Sequence, residues 1–144
     1  MKIPDRLLVA IEYAKRLIGT PYRWGGDDPM AGFDCSGLVQ EVLMSVGMDP
    51  PGDQTAQALY DHFIKAGAKF GTPQPGALYF YGKSPREIIH VGFGIEGISM
   101  IEAGGGGART LTVEDAIKQN AFVRVRPYNS RRDLVGTLIL DWWP

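Results

Sequence analysis

GFDCSGLVQ, residues 32–40, holds the one cysteine of a 144-residue chain. Asp34 is a natural N-cap, because a short carboxylate accepts the N–H groups that a helix start leaves unpaired. Behind it, Cys35, Leu38, Val39, Val42, Leu43 and Val46 recur on one side of a helix that Gly47 closes. Cys35 therefore stands at the first or second position of that helix. Free N–H groups and the helix dipole favour an anion there, and a thiolate is that anion. A structural cysteine needs no such setting; a nucleophile does.

Working outward, residues 4–18 predict an amphipathic helix, with Pro4 in its first turn, Leu7, Leu8, Ile11, Ala14 and Ile18 at helical spacing, and Gly19 as the stop. Residues 20–33, rich in breakers, predict a loop. Thr55 is placed to cap a helix over residues 56–66, and residues 71–76, GTPQPG, form a turn-rich connector. The second half changes character. Short strands are expected over residues 77–81, 90–95, 99–103, 122–126 and 134–140, with a short helix capped by Thr112 between the third and fourth. Helices first and strands after give an α+β fold with a mostly antiparallel sheet.

The length suits one domain over residues 1–144, large enough to bury roughly 70% of its unfolded surface. The formal net charge is −1, so no overall basic field holds nucleic acid, although Arg124, Arg126, Arg131 and Arg132 form a local basic run. One cysteine excludes an internal disulfide, and one cysteine with two histidines is too few for a Cys/His zinc cage. No stretch reads as a membrane span, and Asp5, Arg6 and Glu12 interrupt the apolar run a signal peptide needs.

A thiolate nucleophile needs a base, and the chain offers His62 and His90. His62 lies mid-helix beside Asp61 and reads as a surface or packing histidine. His90 opens a predicted strand, a rigid mount at an edge where a cleft can form. A base needs an orienter for its second ring nitrogen. Glu102, twelve residues on, sits between Ile101 and Ala103 in the next strand, and a hairpin would bring it beside His90. A solvent-facing glutamate on an edge strand is the other reading.

Three blocks now stand in order: GTPYRWGGDDPMAGFDCSGLVQEV, HVGFGI and SMIEAGG. Together, over residues 19 to about 107, they resemble the NlpC/P60 family of cysteine peptidases. The resemblance implies a papain-like α+β core with the N-terminal helices packed on the sheet. It also implies hydrolysis of peptidoglycan stem peptides or muropeptides, typically between D-γ-glutamate and a diamino acid, with no metal or organic cofactor. By position, Cys35 matches the nucleophile, His90 the base and Glu102 the third residue. Tyr22 matches the family tyrosine beside the nucleophile, and Asp34 and Ser36 match residues that line the substrate site. Trp24 either lines the cleft or packs its loop.

The chain departs from the family pattern at two points. Its third residue is a glutamate where a histidine or an amide is usual, and a carboxylate should make His90 more basic. Pro75-Gly76-Ala77 stands where Pro-Gly-Asp is frequent. The glycine run 104–107 lacks the Lys-Ser/Thr of a phosphate loop and predicts a flexible hairpin or a cleft-edge loop. Arg109 is a candidate for a substrate carboxylate or a plain surface residue, and Trp142 and Trp143 read as a packing anchor. An inactive binding or assembly module, and acyl transfer on another substrate, are the rival functions. The N-terminus suggests a setting in a phage tail or phage-like particle that delivers the enzyme to the wall, or else in the cytoplasm, recycling cell-wall peptides.

Overall fold

The computed structural model describes residues 2–142. Helix α1 (Asp5–Arg16) buries Leu7, Ala10, Ile11 and Ala14 along one stripe. Pro4 is its N-cap rather than part of its first turn, and the helix ends one turn's half short of Ile18, with the Leu17 N–H on Ala14 O. The expected loop before the cysteine contains a tiny hairpin, β1 (Asp27–Asp28) with β2 (Gly32–Phe33). Two-residue strands carry no periodicity, so the sequence pattern passes over them.

Helix α2 (Cys35–Met44) puts Cys35 at the first of its two expected positions, and the N-cap Asp34 accepts from the Gly37 N–H at 2.8 Å. Asp34→Ala removes that acceptor and is expected to lower stability by about 1 kcal/mol in urea unfolding; an unchanged midpoint would mean that the cap contributes nothing. Gly37 is fixed by packing, since a Cβ there would run into the Gly26 carbonyl. The Gly25-Gly26 turn thus lies directly on the first turn of α2, which ties the loop carrying Tyr22 and Trp24 to the helix carrying Cys35. Helix α3 (Ala56–Lys65) starts at Thr55, whose hydroxyl accepts from the Ala58 N–H at 3.0 Å.

The main sheet has six strands in the order β3 (Lys69–Phe70), β8 (Leu134–Ile139), β4 (Ala77–Gly82), β5 (Ile88–Gly94), β6 (Ser99–Gly104), β7 (Phe122–Pro127), every neighbouring pair antiparallel. This is the α+β, papain-like arrangement. The short edge pair β3 was not expected. Between β6 and β7 runs α4 (Val113–Gln119), held by a capping box of Thr112 and Asp115 and closed by left-handed Asn120.

Leu78, Phe80, Val91, Phe93, Ile101, Ala103 and Val123 face the helices and join Leu38, Val39, Val42 and Leu59 in one core. The alternate residues Ala77, Tyr79, Tyr81 and Met100 form a second cluster behind the sheet, with Tyr128 against it. Trp142 is the anchor expected of it: its indole N–H donates to Gly76 O at 2.9 Å and its ring meets Phe93 edge-on. Trp143, the other half of that expectation, lies outside the described residues. Among the described residues no helix is long and apolar enough to cross a membrane.

Candidate active site

His90 is the third residue of β5, not its first, and β5 is an interior strand of the sheet. The cleft therefore has a different origin from the sheet edge expected. β5 and β6 are paired at Phe93–Ile101 and Gly94–Met100, and beyond these rungs the ladder stops. The strands part towards His90, and Cys35, at the head of α2, comes in at that opening with its Sγ 3.9 Å from Ile89 O. His90 and Glu102 alternate with the core residues Val91, Ile101 and Ala103, so both side chains turn away from the helix-side core.

The hairpin brings Glu102 to His90 as its spacing suggested: Nε2 to Oε1 is 2.7 Å, with both residues buried. With Nε2 so engaged, Nδ1 is the ring nitrogen left for the Cys35 thiol. The other carboxylate oxygen of Glu102 accepts from Arg124 Nε at 3.0 Å, and Arg124 is its direct cross-strand partner on β7. Burial alone would drive the His90 proton off. The neighbouring Cys35 sulfur and the Glu102 carboxylate outweigh it and hold the imidazole well above its ordinary value. Burial likewise works against an ionised Glu102, and His90 and Arg124 overcome it and hold the carboxyl well below the usual range. The result is an imidazolium held against a buried carboxylate, with an arginine behind that carboxylate.

Tyr22, Trp24, Cys35, His90, Glu102 and the glycines 104–107 border one cleft of about 370 Å³. Tyr22 is buried, and its phenol is pushed up by burial and by the Cys35 and Asp34 charges, so it stays a hydrogen-bond donor. A Cβ at Gly106 would strike the Tyr22 ring, which explains one glycine of the run: the loop lies flat on the tyrosine. That loop is the cleft-edge element, and Trp24 is half exposed on the same rim. Asp34 and Ser36 do not border the cleft. The Asp34 carboxylate caps α2, the Ser36 hydroxyl donates to it at 3.3 Å, and Ser36 is buried beneath the helix start. Burial raises the Asp34 carboxyl despite the Gly37 and Ser36 hydrogen bonds.

His62 is exposed on α3, away from the cleft, as a surface histidine would be. Arg109 is exposed and outside the cleft as well. Three other arginines border it instead: Arg124, Arg126 and Arg131. In the sequence they stand as a basic run with no evident link to the site. Their signal was the alternation in FVRVR, which puts Arg124 and Arg126 on one face of a strand. Among the described residues no group of three or more His, Cys, Asp or Glu side chains could hold a metal ion. What the site can do is acyl transfer: a thiol, a positioned imidazole, a buried carboxylate and a nearby phenol donor are the groups that chemistry uses.

Comparison with known proteins agrees with this class. The NlpC/P60 family model matches residues 19–127, and the chain belongs to that family. It is 42% identical over 76 residues to the bifunctional muramidase/DL-endopeptidase CwlT of Bacillus subtilis, covering 51% of this chain and 22% of that protein. It is 35% identical over 106 residues to the probable peptidoglycan endopeptidase LytE of the same organism, covering 72% of this chain and 29% of LytE. The chain thus spans well under a third of either relative. In three dimensions it resembles the crystal structure of the NlpC/P60 domain of the peptidoglycan hydrolase SagA, with a TM-score of 0.68 and 28% identity over 93% of this chain and 98% of that one.

Proposed function

We propose that this chain is a cysteine peptidase that hydrolyses peptidoglycan stem peptides at the bond between D-γ-glutamate and a diamino acid. The observation that carries the reading is the line Cys35, His90, Glu102, with the thiol at a helix start and the imidazole fixed by a 2.7 Å bond to a buried carboxylate. The names of its relatives support the substrate class.

The Cys35 proton resides on His90, whose raised pKa holds it there, and the thiolate of this pair attacks the scissile carbonyl. The oxyanion is met by the Cys35 N–H, which has no partner within the helix at that first position, and by the Tyr22 hydroxyl. Imidazolium His90 then gives its proton to the leaving amine. Water, deprotonated by His90, cleaves the thioester and releases the Cys35 sulfur as a thiolate beside the reprotonated ring. Glu102 keeps the ring aimed and stabilises its charged form, and Arg124 holds Glu102. Trp24 is placed to contact the substrate at the rim. Asp34 and Ser36 serve indirectly, by fixing the first turn of α2.

Digestion of purified peptidoglycan, followed by mass spectrometry of the new termini, tests the proposal. The expected products carry a free γ-carboxyl on D-glutamate and a free amine on the diamino acid. Cleavage only at other bonds would refute the substrate assignment, and no cleavage at all would refute the activity.

A further inference from the structure

Three arginines and one carboxylate border this cleft, and the arginines are not equivalent. Arg124 is committed to Glu102. Arg131 makes a two-pronged pair with Asp133, at 2.9 and 2.8 Å, and lies over the Tyr81 ring. Arg126 is half-buried on the cleft wall, and among the described residues it takes part in no ion pair and no side-chain hydrogen bond. It is two residues along β7 from Arg124, opposite Met100, which puts its Cα about 7 Å further down the same face. Glu102, the acid of the cleft wall, is already shared by His90 and Arg124. A partly desolvated guanidinium without an anion is an incomplete pair, and its planar fork matches a carboxylate.

We infer that Arg126 binds a carboxylate of the substrate, one or two residues from the bond that Cys35 attacks. The inference rests on the peptidase reading above and deepens it: the enzyme selects stem peptides by a free acid near the scissile bond. Two such acids exist when the diamino acid is diaminopimelate, or when it ends the peptide. One is the α-carboxylate of the glutamyl residue, and the other belongs to the diamino acid on the leaving side. An extended peptide rises about 3.4 Å per residue, so either lies within the span of an arginine side chain set back along the strand.

The test uses three synthetic stem peptides: both carboxylates free, the glutamyl one amidated, or the diamino acid one amidated. Each is assayed with wild type and with Arg126→Gln. Wild type is expected to lose roughly tenfold or more in kcat/KM, mainly through KM, on one of the amidated peptides, and that peptide identifies the acid. Arg126→Gln is expected to lose a similar factor on the free peptide and to be indifferent to that amidation, with a thermal melt showing the variant folded. A wild type that cleaves all three equally well overturns the inference and leaves the peptidase reading standing. So does an Arg126→Gln variant that keeps the full amidation effect, since the acid is then read elsewhere. A wild type that cleaves none of the three overturns the peptidase reading, and this inference falls with it.

Discussion

His90→Ala is expected to lower kcat/KM on a stem peptide by about 10²–10⁴-fold, the usual worth of a positioned general base, and Cys35→Ala to leave no measurable thioester turnover. The two variants separate the roles. Alkylation by iodoacetamide reads the thiol without any substrate: it is abolished in Cys35→Ala and strongly slowed in His90→Ala, because the imidazolium that stabilises the thiolate is gone. If alkylation in His90→Ala ran at the wild-type rate near neutral pH, Cys35 and His90 would not be a working pair. The pH profile adds a second mark. The leaving amine must be protonated by imidazolium His90, whose pKa is raised from 6.5 to about 9. Turnover is therefore expected to fall on the alkaline side through about pH 9 rather than near neutrality. A limb near pH 6.5 would mean that the Glu102 and Cys35 charges do not reach the ring.

How far the sequence carried these conclusions differs from element to element. The cap of α2 was legible, and with it the helix start to within one residue, because capping is local chemistry: Asp34, three residues before Gly37, specifies a bond that depends on little else. Thr55 and Thr112 marked their helices for the same reason. The pairs β1–β2 and β3–β8 were not legible, since two residues define no period and what holds them is their partner strand. The start of β5 was misplaced by two residues. Ile88 and Ile89 look like loop after Arg86-Glu87, and it is pairing with β4, across a bulge at Gly82, that recruits them.

The site shows the same division. The meeting of His90 and Glu102 was legible from residue type and spacing, because a hairpin makes the two near neighbours. Arg124 comes from a strand twenty-two residues further on, across an intervening helix, and no local pattern links it to Glu102. Asp34 and Ser36 show a role that the motif did not announce. Their position in the motif suggested the substrate, whereas their hydrogen bonds show them supporting the helix that presents the thiol. Such bonds depend on how the helix start packs, which is a property of the whole fold.

Glu102→Gln is expected to be the most damaging change to stability in the site, at about 3 kcal/mol by urea unfolding. Breaking a buried ion pair costs about 3–5 kcal/mol because a charge is stranded. The lower end applies here, since His90 can shed its proton and the Arg124 side chain is 30% exposed. The pH dependence identifies the cause. Glu102 is lowered in the folded protein from 4.5 to about 2, so its contribution is complete above pH 4.5 and is lost as pH falls towards 2. His90 is raised from 6.5 to about 9, so its contribution is complete below pH 6.5 and is lost as pH rises towards 9. The two windows overlap between pH 4.5 and 6.5, and the gap between wild type and Glu102→Gln is widest there. From pH 6.5 to 9 the gap narrows, leaving only what Arg124 gains from the carboxylate. A gap that stays constant from pH 5.5 to pH 9 would show that His90 is not charged through Glu102. The same buried carboxylate would then be a packing element, and the orientation of the imidazole would have to come from elsewhere.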